Sequence, residues 1–205
     1  MYQLIVFLPL LGFLITGLFG RSIGVRASQL ITSGFLVVSA LLSITAFINV
    51  AFGDFSGTIV VANWINSGAL DIDWAFKIDT LTTIMLVVVT VISSLVHIYS
   101  IGYMSQDDHN PRFFAYLSFF TFAMLMLVTS NNFLQMFFGW EGVGVASYLL
   151  IGFWYKKPTA NAAAIKAFLV NRVGDFGFSL GILAIFLVFG TLEFEAVFNA
   201  VPEQV

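Results

Sequence analysis

The chain has 205 residues, 60% of them hydrophobic and only 9% charged, with a mean hydropathy of +0.99. A soluble domain carries nearer ~25% charged residues, so this is the composition of an integral membrane protein. The formal net charge of −3, the lack of Cys and the lack of a basic patch exclude disulfides, thiolate metal or iron–sulfur ligation, and tracking of a nucleic-acid backbone.

Six apolar spans follow one another, at about 2–20, 29–52, 79–101, 112–130, 133–154 and 160–190. Met1-Tyr2-Gln3 has no positive n-region and no small-residue cleavage site follows, so the first span reads as a retained helix rather than a signal peptide. Arg21 and Arg26 separate spans one and two, Arg112 lies between three and four, and Lys156-Lys157 between five and six. If the helices alternate, these loops share one side. The other side has Lys77 together with Asp54, Asp71, Asp73 and Asp79. The positive-inside rule then places the basic loops in the cytoplasm and the N-terminus outside.

Residues 53–78 form the one long connection. GTIVVANWINSGALDIDWAF alternates loosely around Asn66-Ser67-Gly68, which predicts a small hairpin on the outer surface. Pro111 and Pro158 are expected just ahead of helix starts. After the sixth span, TLEFEAVF reads as a short amphipathic piece at the outer interface.

The charges inside the spans carry the functional signal. Glu141 interrupts FFGWEGVGVASYLL ~12 Å from a helix end, near the midplane of a ~30 Å hydrocarbon core. A carboxylate at that depth marks a functional position, the alternative being a static acid that fixes packing. Gly139, Gly142, Gly144, Ala146 and Ser147 around it would let neighbouring backbones come close and shield it from lipid. In the sixth span Arg172 and Asp175 are three apart and share a face, either as functional charges or as an intrahelical ion pair. Lys166 lies on the same span and either takes part or snorkels; Asn171 adds a further polar group. His97 and His109 are too few for a metal site and read as packing and surface residues. Gly142-Val-Gly144 lacks the third glycine and preceding strand of a dinucleotide fingerprint and reads as helix packing. There is no phosphate-binding Walker loop or hydrolase elbow, so no catalytic residue is assigned.

The stretch from Phe76 to Trp154, from FKIDTLTTIM through SIGYMSQDD to FFGWEGVGVASYLLIGFW, closely resembles the subunit L/chain 5 family of respiratory complex I, the proton-pumping NADH:quinone oxidoreductase. KPTANAAAIKAFLVNRVGDFGF continues the likeness through the sixth span. The resemblance implies an all-α membrane protein of about six transmembrane helices in an antiporter-like inverted-repeat bundle, with a small extracytoplasmic β-hairpin. It implies an N-terminal chain-5-type region at 1–110 (three helices and the hairpin) and the start of a proton-conducting antiporter-like domain at 111–205. By the same resemblance Glu141 matches the family's glutamate that modulates a buried lysine. Arg172 and Asp175 match its arginine and aspartate that couple to the adjacent subunit; Lys166, read from its place on the same span, stands beside them as a candidate for proton translocation. The implied partners are the other complex I membrane subunits, especially the adjacent antiporter-like one, and the bilayer. No cofactor is assigned to this chain; NADH, FMN, iron–sulfur clusters and quinone belong to partner subunits. The family's members are much longer, with a partner lysine on a broken seventh helix. A truncation at Pro202-Glu203-Gln204-Val205 is therefore expected, with Glu141 left as an isolated carboxyl. The alternatives are the large subunit of a multi-chain Na+/H+ antiporter and a structural membrane spacer.

Overall fold

Hydrocarbon supplies no hydrogen-bond partners, so a chain this apolar satisfies its backbone internally, chiefly in helices. The computed structural model describes residues 1–53, 55–68 and 70–204; within them are six helices and one two-stranded antiparallel sheet. Asp54, assigned above to the outer acidic set, and Val205 lie outside the described residues.

Helix α1 (Tyr2–Ala51) is nominally 50 residues long, which at ~1.5 Å per residue would reach ~75 Å. It does not run straight. Gly24 has φ 82° and ψ 173°, in the left-handed region that glycine enters without a Cβ penalty, and the chain doubles back there. The proof is a contact: Ser39 Oγ donates to the Ile5 carbonyl at 3.1 Å, although 34 residues separate them. Pro9 explains that bond. Proline has no N–H, so it orphans the carbonyl four residues earlier, which is that of Ile5, and the serine of the returning limb satisfies it. The two limbs are the first two predicted spans, joined through one residue rather than through the loop expected at 21–28.

A hairpin follows, β1 (Gly57–Ser67) and β2 (Leu70–Ile78). Ser67 pairs with Leu70, and Gly68 takes φ 61° between them. The hairpin is less superficial than its sequence suggests. Phe76 and Ile78 are fully buried against Ile5, Leu86 and Leu125, while Ile72 packs on Ile182 and Leu192. The Ala75 amide donates to Gln135 Oε1 at 3.0 Å, the Lys77 amide to the Thr129 carbonyl at 2.9 Å, and Asn132 Nδ2 to the Asp73 carbonyl at 3.0 Å. The strand β2 thus caps one end of the bundle, whereas β1 stays mostly exposed.

Five more helices follow, four long ones, α2 (Thr80–Tyr103), α3 (Asn110–Val128), α4 (Phe133–Ile151) and α5 (Pro158–Phe189), and the short α6 (Phe194–Gln204). Asp79 caps α2 by accepting from the Thr82 amide at 2.7 Å, and Asn132 caps α4 by accepting from Gln135 at 2.7 Å. Pro111 and Pro158 lie within the first turns of α3 and α5 rather than ahead of them, where a missing N–H leaves no bond unmade. Five helices are long and apolar enough to cross a membrane; counting both limbs of α1, the chain passes six times. At one end Gln29 bonds Asn110 at 3.1 Å, Arg112 Nη2 the Phe153 carbonyl at 3.0 Å and Trp154 Nε1 Asp107 Oδ2 at 2.9 Å, which gathers the three basic loops. The hairpin, residues 129–132 and the start of α6 sit at the other end, where the Phe194 amide reaches the Asn131 carbonyl at 3.1 Å.

This clustering fixes relative sidedness. Cysteines introduced at Ser22 and Thr159 should be labelled by an impermeant maleimide from one and the same side of the membrane, and one at Ser67 only from the opposite side. Labelling of Ser22 and Thr159 from different sides would contradict the bundle.

The loop before α3 carries a pH dependence. Burial alone would push the Asp107 carboxyl up, but the Trp154 N–H, the His109 backbone N–H and the charges of His109 and Arg112 together hold it below the usual carboxylate range. A depressed folded-state pKa stabilises above the ordinary carboxylate value and loses that contribution as pH falls through the folded one. Asp107→Asn should therefore lower the thermal midpoint at neutral pH and leave it nearly unchanged on the acid side of that window.

Candidate functional site

Helix α4 has two faces. On one, a Cβ added to Gly139 would lie 2.6 Å from Leu127 backbone atoms, and one added to Gly142 2.9 Å from the Ala123 Cβ, so α3 and α4 touch because these residues have no side chain. The opposite face, Trp140, Glu141, Gly144 and Tyr148, turns toward α5. Glycine packing against α3 thereby aims the glutamate at the next helix.

There it meets Arg172. Nη1 of Arg172 lies 2.8 Å from Glu141 Oε1 and 2.7 Å from Oε2, and 3.8 Å from Asp175 Oδ2. The guanidinium rests on the Phe168 ring, 4.5 Å from its centroid, one helical turn below. Trp140 Nε1 donates to Asp175 Oδ1 at 2.8 Å, and its indole packs edge-on against Phe178. One cation therefore stands between two carboxylates contributed by two helices, and an indole holds the second carboxylate in place. Asp175 is the most enclosed, with 7% of its side chain exposed, against 22% for Glu141 and 45% for Arg172.

Two expectations change. Arg172 pairs more closely with Glu141 across the helix interface than with Asp175 on its own helix, because the interhelical geometry brings Nη1 to hydrogen-bond distance. Glu141 is accordingly not an isolated carboxyl. Lys166 is exposed nearer the start of α5 and makes no hydrogen bond or ion pair among the described residues. Asn171 faces Gly144, its Nδ2 3.9 Å from where a Cβ would be. Trp140 is the member of the cluster that the sequence reading missed; no local spacing links it to a residue 35 positions away.

His97 is fully buried between α2 and α3. Its Nδ1 must donate to the Ser93 carbonyl at 2.9 Å, which leaves Nε2 to accept from Ser118 Oγ at 3.2 Å. That is a satisfied packing histidine, as expected. Gly142 and Gly144 likewise serve helix contact.

Against known proteins, residues 64–114 match the family model described as NADH-ubiquinone oxidoreductase (complex I), chain 5 N-terminus, and residues 130–205 match NADH:quinone oxidoreductase/Mrp antiporter, TM. The chain is 57% identical over 198 residues to an NADH-ubiquinone oxidoreductase chain 5 of Arabidopsis thaliana, and 54% over 210 residues to an NADH-quinone oxidoreductase subunit L of Rhodobacter capsulatus. These alignments cover 97% and 99% of this chain. The chain belongs to the chain 5/subunit L family. It spans about 30% of the length of the curated relatives it matches. Two solved structures share the fold: a membrane-bound sulfane sulfur reductase, an archaeal respiratory membrane complex (TM-score 0.82, 17% identity), and the Mrp complex from Dietzia sp. (TM-score 0.79, 19% identity). Each covers 96% of this chain, while the chain covers 39% and 20% of theirs. The chain is thus a multi-pass membrane protein with the fold of antiporter-like membrane subunits.

The Trp140–Asp175 bond gives a direct test of the cluster. Trp140→Phe keeps the aromatic packing on Phe178 and removes only the donor. It should lower stability by about 1–3 kcal/mol, read as a drop in the unfolding midpoint in detergent. An unchanged midpoint would mean the indole does not hold the carboxylate.

Proposed function

We propose that this chain forms part of a membrane subunit of a proton-pumping NADH:quinone oxidoreductase, and that Glu141, Arg172 and Asp175 take part in coupling electron transfer to proton movement. The observation that carries the proposal is the shared cation. Glu141 is the ninth residue of a 19-residue apolar helix, ~12 Å from its start, and Arg172 stands between it and Asp175. Ionised groups at such depth are costly unless paired, and a pair whose cation has a second carboxylate 3.8 Å away can be re-partnered by a small shift. When Arg172 leans toward Asp175, Glu141 loses its counter-charge and favours the protonated form; when it returns, the proton is released. Lys166 belongs to this reading as a charge on the same helix nearer the basic-loop end. The names of the relatives supply the redox context.

In this reading the chain is a non-redox component, and NADH, FMN, iron–sulfur clusters and quinone are handled by partner subunits. An adjacent antiporter-like subunit is the partner of the α5 face, and the chain divides at 110/111 into an N-terminal region and the start of the conducting domain. The membrane is a cell inner (plasma) membrane, with the basic loops cytoplasmic and the N-terminus outside. A second reading, the large subunit of a multi-chain Na+/H+ antiporter, draws support from the shared fold with the Mrp complex.

In the full-length subunit within the assembled enzyme, Glu141→Gln should reduce NADH-driven proton pumping roughly tenfold or more, with assembly retained. Asp175→Asn should act in the same direction but less, with some loss of assembly because Arg172 keeps only Glu141. Quinone-dependent ΔpH formation in inverted vesicles measures both. Normal pumping in the two variants would overturn the coupling role. Cation-driven exchange without any NADH dependence would favour the antiporter.

A further inference from the structure

A cavity of about 820 Å³ lies between the first limb of α1 and α3, at the end of the bundle that carries the basic loops. Its walls change character with depth. Phe13, Leu14 and Leu18 line the inner part, and Leu18 is 72% exposed toward the surrounding hydrocarbon. Arg21, Arg112 and His109 line the mouth together with the carboxylate of Asp108. Two guanidiniums, Arg21 and Arg112, and one carboxylate, Asp108, thus face the cavity, with the Asp107 carboxylate near Arg112 outside its lining.

Two buried polar atoms beside this cavity lack partners among the described residues, and an arginine stands free at its mouth. Arg21 is exposed and makes no hydrogen bond or ion pair among the described residues. Arg112 is clamped over the Phe153 and Tyr155 rings and spends Nη2 on the Phe153 carbonyl, yet its Nε is buried without an acceptor. Thr16, only 2% exposed and lining the same cavity, has a hydroxyl with no hydrogen-bond partner among the described residues. Buried donors left unmatched are costly; both atoms are closed to solvent here, so an acceptor in the cavity would be met by a side-chain rotation. Thr16 lies five residues below Arg21, ~7.5 Å along the limb. That is the order of the separation between a phosphodiester and the ester carbonyls of a glycerolipid.

We propose that this cavity binds an anionic glycerophospholipid, with the phosphodiester on Arg21 and Arg112, an ester carbonyl at Thr16, and one acyl chain along Phe13, Leu14 and Leu18. Free phosphate shares the headgroup chemistry but has nothing to place against the apolar wall. The assignment is independent of proton coupling, since none of its residues belongs to the Glu141 cluster.

The test uses the full-length protein with its native partner chains, reconstituted in nanodiscs with a phosphatidylglycerol carrying a diazirine on its acyl chain. Crosslinked peptides are mapped by mass spectrometry. Crosslinks are expected at residues 13–18 and 115–116, competed by excess unlabelled phosphatidylglycerol but not by phosphatidylcholine. They should fall roughly five-fold in Arg21→Gln, the effect of one basic residue at an anionic surface, and recover in Arg21→Lys. Thr16→Val should reduce them roughly three-fold, the loss of one hydrogen bond. Three results would each overturn the proposal: no crosslinks in these peptides, equal competition by phosphatidylcholine, or crosslinking indifferent to Arg21→Gln. Displacement by inorganic phosphate at low concentration would reassign the site to a free anion.

Discussion

A carbonyl or hydroxyl in hydrocarbon has no water to bond, so one left without a partner inside the bundle is costly. The first limb of α1 shows how far this reaches. Pro9 strips the Ile5 carbonyl of its helical donor, and Ser39 replaces it from the returning limb. The hairpin of helices is held by a hydrogen bond that one proline makes necessary. Serines and threonines along the second limb and α2, among them Thr32, Ser43, Thr90 and Ser94, bond back to carbonyls of their own helix. They carry small polar side chains into a packed interface at no unsatisfied cost. His97 obeys the same constraint through its two ring nitrogens.

The charge cluster is the most demanding case. Two carboxylates and one guanidinium at mid-depth are tolerable only together, and the bundle brings them together in two steps. Gly139 and Gly142 let α4 lie directly on α3, which turns the opposite face of α4 toward α5. Arg172 is then steadied by Phe168 below it, while Trp140 secures Asp175 from α4. The cation is left with one tight carboxylate and one at longer range, an arrangement that is satisfied yet able to change partner. Partial exposure of Arg172 and the strongly apolar outer face of α5, with Val173 77% and Phe176 68% exposed, give the cluster a route to whatever lies against that face.

The two ends of the bundle are built differently. At the hairpin end, main-chain and side-chain amides of Ala75, Lys77 and Asn132 lock β2 onto the start of α4, and Trp64, Trp74 and Phe138 pack edge to face over it. At the basic end the loops are tied by side chains, among them Gln29, Asn110, Arg112 and Trp154, around cavities. A cap bonded through the main chain and a mouth lined by arginines follow from those choices of residue.

The six spans, the hairpin, the grouping of the basic loops and the three midspan charges were legible in the linear chain, because each is written in local hydropathy or in a residue type that hydrocarbon penalises. Glu141 stands out in any window of its helix, and Arg172 and Asp175 share a face by spacing alone. Their true pairing was not legible. Whether Arg172 answers Asp175 three residues away or Glu141 thirty-one away depends on how α4 and α5 are rotated, and glycines facing α3 set that rotation. The same holds for Trp140, for the burial of Phe76 and Ile78 beneath the bundle, and for the one-residue reversal at Gly24. Local sequence determines which groups must be satisfied; only the tertiary structure decides which partner satisfies them, because the competing donors and acceptors come from elements distant in the chain.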